Sequence, residues 1–260
     1  MKFLKKSYVY SVLAFLYIPI LVLILFSFND SRSRGRWGGF TLRWYQELFT
    51  DRAIVEALIN TVIVAGVAAT IATIIGTFAA LGIYFMRKRP REWIMNVTYL
   101  PIMNPEIVTG VSLMLLFIFL RIPAGFITLI LAHITFNIPY VILAILPRLN
   151  QLNPHLFEAA EDLGANFAYT LRRVIIPEIL PGIITGFLLA VTLSIDDFVV
   201  SFFTRGATAT TLSVLVFGMA RRGVRPTINA LSTIMFLVVL IMLIIVNVRM
   251  KKAASTTQKI

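Results

Sequence analysis

From Ser7 to Phe28 the chain runs without a single charged residue. At about 1.5 Å of rise per residue, a helix of that length crosses a hydrocarbon core about 30 Å thick. Five further runs repeat the pattern: Ala57 to Met86, Trp93 to Leu120, Ile122 to Pro147, Ile179 to Thr204 and Pro226 to Val248. Only Glu106, His133 and the pair Asp196-Asp197 interrupt them with an acidic residue or a histidine. With 58% hydrophobic and 14% charged residues over 260 positions, a water-soluble enzyme and a disordered chain are both excluded. The expectation is an all-α integral membrane protein with six transmembrane helices at about 7–28, 57–86, 93–120, 122–147, 179–204 and 226–248. These spans form one transmembrane domain over residues 1–252, followed by a polar tail at 253–260. The first run follows three lysines as a signal peptide would, yet it is long for one and no small-residue cleavage site follows, so it reads as a retained span.

Charge sets the expected orientation. Lys2, Lys5 and Lys6, the cluster Arg87-Lys88-Arg89 with Arg91, and Arg249, Lys251 and Lys252 all flank apolar runs. Lys and Arg collect on the cytoplasmic side of short loops, so both termini are expected inside, and anionic lipid accounts for the net charge of +12. Nucleic acid is not an expected partner, since no basic helix or aromatic platform lies outside the spans. In the loop from Asn29 to Glu56, Trp37, Trp44 and Tyr45 suit the head-group level. Arg205, Arg221, Arg222 and Arg225 fall between the fifth and sixth runs, where they either meet acidic groups on a partner or solvate the rim.

Small residues recur every four positions at Ala68, Ala72, Gly76 and Ala80, and again at Gly182 and Gly186. Such stripes let helix backbones approach closely.

What is missing narrows the function. There is no cysteine and there are only two histidines, so thiolate and histidine metal sites are not expected. The chain lacks the phosphate loop Gly-x-x-x-x-Gly-Lys-Ser/Thr, a Gly-x-Ser-x-Gly elbow and a His-Glu-x-x-His helix. No Ser/His/Asp set is expected to assemble, and any energy from nucleotide must enter through another chain.

The segment Asn153 to Gly164 has the punctuation of a short separate helix. Asn153 reads as its cap, Pro154 as its first turn and Gly164 as its left-handed stop. Leu156, Ala160 and Leu163 would share an apolar face, opposite Glu158, Glu161 and Asp162. A rod too short to span a bilayer must dock onto something.

Glu158-Ala159-Ala160, Gly164, Val174, Ile176 and Pro177 stand at the spacing of the EAA loop, and the chain resembles the permeases of ABC importers. That family carries Glu-Ala-Ala, Gly, Ile and Leu-Pro at these positions, so Val174 and Ile176 are conservative apolar departures. The resemblance extends through Tyr17-Ile18-Pro19, Trp44-Tyr45, Asn104 to Val108, Ser194 to Asp197 and Ile228 to Leu231, and it is strongest to the polyamine permeases. It implies a type I ABC importer transmembrane domain in a bacterial inner membrane. Glu158, Ala159, Ala160, Gly164 and Pro177 would belong to a coupling helix that docks on an ATPase. The implied partners are a second, similar permease subunit, two ATPase subunits and an external solute-binding protein. ATP and Mg would be bound by the ATPase, and no cofactor by this chain.

An ionised acid at the centre of a span costs about 2.5 to 3.5 kcal/mol on insertion scales, so Glu106, Asp196 and Asp197 need partners or a purpose. Asn104-Pro105-Glu106 has the order of cap, first turn and acid, which predicts a new half-helix starting near Glu106. Glu106 either satisfies freed backbone N–H groups or faces substrate. Asp196 and Asp197 would point ~100° apart on a continuous helix, one to the pathway and one to a neighbour, in an order the residues leave open. Carboxylates with aromatic walls at Tyr99, Phe198 and Phe202 suit a flexible cation, which makes polyamine the expected cargo. His133 reads as a packing residue near Thr135 and Asn137. An ABC permease for another solute, or a self-contained channel or carrier, remains an alternative at this stage.

Overall fold

The computed structural model describes residues 2–31, 36–153, 155–207, 209–222 and 226–257. Among these residues every regular element is helical, apart from one isolated bridge between Asn29 and Phe40. The helices are α1 (Lys2–Ser27), α2 (Arg43–Thr50), α3 (Arg52–Phe85), α4 (Lys88–Met103), α5 (Glu106–Phe119), α6 (Phe126–Leu149), α7 (Leu156–Asp162), α8 (Phe167–Thr170), α9 (Ile176–Asp196), α10 (Val199–Thr204), α11 (Leu212–Arg222) and α12 (Pro226–Thr257). Two compact units result, one of Met1–Ala57 with Leu215–Ile241 and one of Leu58–Val214 with Met242–Ile260.

In the first unit the chain leaving α1 folds around Asn29. Its Oδ1 accepts from the backbone N–H of Gly38 at 2.7 Å and of Ser31 at 3.2 Å, while Nδ2 donates to the Arg36 carbonyl at 2.9 Å. Trp44 Nε1 donates to the Asn29 carbonyl at 2.7 Å, the Ser27 and Tyr45 hydroxyls are 2.6 Å apart, and Phe28 stacks on Phe40. Trp44 and Tyr45 therefore do not lie free at the head-group level. Their polar tips are consumed within the protein, and only Trp37 is exposed as that expectation required. Arg221 lies over the Phe217 ring, whereas Arg225 falls outside the described residues.

The second unit is built on α6, which packs along α9 and beside α3. The small-residue stripes set these distances. A Cβ on Gly76 would stand 2.6 Å from Val141 Cγ1, and one on Gly182 would stand 2.9 Å from Arg148 Cγ and 3.3 Å from the Ala144 carbonyl. Around them Ala69, Leu81, Ile142, Ile145, Leu149 and Ile179 form the main buried cluster.

Four helical stretches are long and apolar enough to cross a membrane: Lys6–Ser27, Arg52–Phe85, Phe126–Leu149 and Phe167–Asp196. The pair α4 and α5 makes a fifth if counted as one bent span. The last expected run lies within α12, whose apolar part Pro226–Ile241 is shorter. Two boundaries and one cap differ from the sequence expectation. The third run breaks at Pro105 as expected, with α4 and α5 meeting at 104° across Asn104 and Pro105. Proline pushes the residue before it into extended backbone, and Asn104 (ψ 145°) and Pro105 (ψ 136°) are both extended, so Asn104 closes α4 and does not cap α5. The fifth run starts earlier, at Phe167, and passes through a π-helical turn, Leu171–Ile175, whose closing bond runs from the Ile176 N–H to the Leu171 carbonyl. That widened turn lies just ahead of Pro177, whose ring would clash with a carbonyl four residues back in a regular helix. The same run ends at Asp196, because Asp197 (ψ 121°) leaves the helix before α10 begins.

Candidate functional site

Glu106 opens α5 immediately after the bend, and Asp196 closes α9. Both line one cavity of ≈ 170 Å³, whose wall is completed by Pro101, Thr109, Phe136, Tyr140, Leu193 and residues 197–200. The bend turns α5 away from α4 and leaves Glu106 exposed at the cavity mouth, while Asp196 is exposed at the other break. Phe198 reaches the wall, and Phe202 lies behind it at 5.6 Å between ring centroids. Tyr99 and Phe202 are not part of the lining.

Asp197 has a different environment. Its Oδ1 accepts from the Val200 N–H at 3.1 Å and its Oδ2 from the Ser201 N–H at 2.7 Å, donors in the first turn of α10 that no preceding turn can satisfy. Its own carbonyl accepts from Ser213 Oγ at 2.6 Å. The two aspartates therefore do not sit ~100° apart on one helix. A helix end lies between them.

His133, fully buried in α6, stands with Nε2 3.0 Å from Ser201 Oγ and 3.5 Å from Asp197 Oδ2. Its partners come from across the bundle and not from Thr135 or Asn137, and Asn137 instead donates to Ser194 Oγ at 2.7 Å. A Ser/His/Asp set thus does assemble, against expectation. It does not have the geometry of a hydrolytic triad, in which acid and nucleophile bond opposite ring nitrogens, because here both approach Nε2. Among the described residues no three His, Asp or Glu side chains cluster closely enough to hold a metal ion.

The acidic segment folds as α7, from Leu156 to Asp162. Asn153 lies before its start: the side chain accepts from the His155 N–H and the carbonyl from the Leu156 N–H, each at 3.0 Å, which makes His155 the flanking residue. Pro154 falls outside the described residues. At the other end Gly164 has φ +82°, its N–H bonds the Glu161 carbonyl and the Ala165 N–H bonds the Ala160 carbonyl. This paired cap is the stop that glycine at this position predicted. Leu156 and Phe157 pack against the main core, with the Phe157 ring against Phe85 and Phe167. Leu163 does not join that face. It follows the last helical residue and is 90% exposed beside a groove also lined by Ala160, Gly164, Tyr169 and Val174. Glu158 pairs with His155 at 2.9 Å, and Pro177 sits in the first turn of α9.

The cavity and α7 both lie inside residues 72–253, which match the family described as "Binding-protein-dependent transport system inner membrane component". The chain belongs to this family. It is 40% identical over 243 residues to the spermidine/putrescine transport system permease protein PotC of Haemophilus influenzae, covering 94% of this chain and 95% of that one. It is 43% identical over 227 residues to the putrescine transport system permease protein PotI of Escherichia coli, covering 85% and 81%. Its fold matches a chain of a bacterial ABC transporter involved in the import of the acidic polysaccharide alginate, with a TM-score of 0.71, 17% identity, and coverage of 96% and 95%. As an inner membrane component of a transport system, the chain is a multi-pass transport subunit, not an enzyme.

In this permease Phe136 and Tyr140 are the aromatic cavity residues that sequence reasoning missed. They stand four apart on α6, one and two turns beyond His133, and an aromatic pair at that spacing on a histidine-bearing span was the available signal. Ser201 and Ser213 carried no such signal, because their partners are distant in sequence.

Proposed function

We propose that this permease forms half of the translocation pathway of an ATP-driven polyamine importer. The single observation that carries this reading is the pair of carboxylates, Glu106 and Asp196, at one cavity whose other wall is aromatic. A polyamine is a methylene chain bearing separated ammonium groups. Glu106 and Asp196 would each take an ammonium group, while Phe136, Tyr140 and Phe198 accept the chain and add cation–π attraction. The identity to the spermidine/putrescine and putrescine permeases supports this cargo.

In this reading the six spans are α1, α3, the bent pair α4 and α5, α6, the run from α8 through α9, and α12, with both termini in the cytoplasm. α7 is the coupling helix of a type I ABC importer, with Glu158, Ala159, Ala160 and Gly164 at the ATPase surface. A second, similar permease completes the pathway, two ATPase subunits bind and hydrolyse ATP with Mg, and an external binding protein delivers cargo. ATP-driven closure of the ATPases would move α7 and rotate the spans.

The test is uptake of labelled spermidine by the reconstituted complex carrying Glu106→Gln and Asp196→Asn. Uptake should fall at least tenfold with assembly intact. Uptake equal to the parent would refute the reading.

A further inference from the structure

We propose that Asp197 is not a cargo ligand but the centre of a buried positioning clamp, with His133 and Ser201, that fixes the break between α9 and α10 and so aims Asp196 into the cavity. The inference rests on the cargo site proposed above. It divides the adjacent aspartates between two roles.

Asp197 has little left to offer a solute. Its side chain is 6% exposed. Both carboxylate oxygens are engaged by N–H groups of α10, and Oδ2 also faces the buried ring of His133. A carboxylate already holding two backbone donors meets a passing ammonium group with few free lone pairs and at the cost of unpinning α10. Asp197 also borders the cavity, but Asp196 has no such commitments and is exposed there beside Glu106.

The clamp joins three elements. Asp197 Oδ1 and Oδ2 hold the start of α10, Ser201 Oγ on α10 meets His133 Nε2 on α6, and Ser213 Oγ on α11 holds the Asp197 carbonyl. Among the described residues His133 Nδ1 has no hydrogen-bond partner, so the polar engagement of the ring is wholly with this corner. The groups act as a unit. Loss of any one frees the same backbone break, and the position of Asp196, the residue before it, becomes less defined.

The experiment measures spermidine uptake at varied concentration by the full reconstituted complex, assayed only on assembled material. Asp196→Asn and Glu106→Gln should raise the apparent KM at least tenfold. Asp197→Asn and His133→Gln act through a displaced but intact Asp196, so they should raise KM only about two- to threefold while lowering the maximal rate about three- to tenfold. The double variant should be no slower than the worse single one. Asp197→Asn should be milder than Asp197→Ala, because the amide oxygen still accepts one N–H. Where Asp197→Ala does not assemble, Asp197→Asn decides. An Asp197→Asn KM raised as far as that of Asp196→Asn, or multiplicative losses for His133→Gln and Asp197→Asn, would overturn the clamp while leaving the cargo site standing. No KM change in any of the four single variants would overturn the cargo site and the clamp with it.

Discussion

The ring of Phe85, the last residue of α3, meets the ring of Phe157 on α7 edge to face, with 5.0 Å between centroids. Phe157 also stacks on Phe167 at 5.6 Å, so the short acidic helix is tied by aromatic contacts to the end of one long helix and the start of another. In the proposed coupling cycle a displacement of α7 would pass to both through these rings.

Phe157→Ala removes two aromatic contacts, each worth roughly 0.5–1.5 kcal/mol beyond area burial. The complex should still bind its ATPase, but uptake per ATP hydrolysed should drop several-fold. Parallel measurement of phosphate release and cargo uptake checks this, and an unchanged ratio would show that the cluster transmits nothing.

Gly164→Ala puts a side chain on a residue at φ +82°, a conformation that costs an L-residue roughly 1–2 kcal/mol. The two capping bonds at the end of α7 should loosen and association with the ATPase should weaken, with Gly164→Asn milder because asparagine tolerates that region. Titration of purified ATPase onto the reconstituted permease reads the effect directly.

Gly76→Ala should destabilise the α3 and α6 pairing by about 1–3 kcal/mol, since its Cβ would lie 2.6 Å from Val141 Cγ1. Adding Val141→Ala should recover part of the loss. Thermal unfolding of the single and double variants in detergent tests the pair, and a double variant no more stable than Gly76→Ala would rule out this contact as the cause.

Local features of the fold were readable from the chain because they depend on a few neighbouring residues. Gly164 announced its stop, and Pro105 announced a break, since each acts through its own backbone. The 104° angle at that break depends on what α5 packs against, so it was not legible. Glu106 and Asp196 stood out because an acid inside a span needs a partner or a purpose, and they do line one cavity. The wheel angle assigned to Asp196 and Asp197 assumed a continuous helix, whereas Asp197 takes the free N–H groups of α10 and ends it. Tyr99 is near Glu106 in sequence but stands outside the cavity lining. Trp44 looked like an interfacial residue because nothing local reveals that its indole N–H reaches the Asn29 carbonyl.

As proposed above, this permease moves polyamine only when driven by an ATPase it does not itself contain. Spermidine accumulation in proteoliposomes tests this, comparing the chain alone with the full complex, each with and without ATP. Only the full complex in ATP should accumulate spermidine. Accumulation by the chain alone without nucleotide would refute the ATP-driven reading.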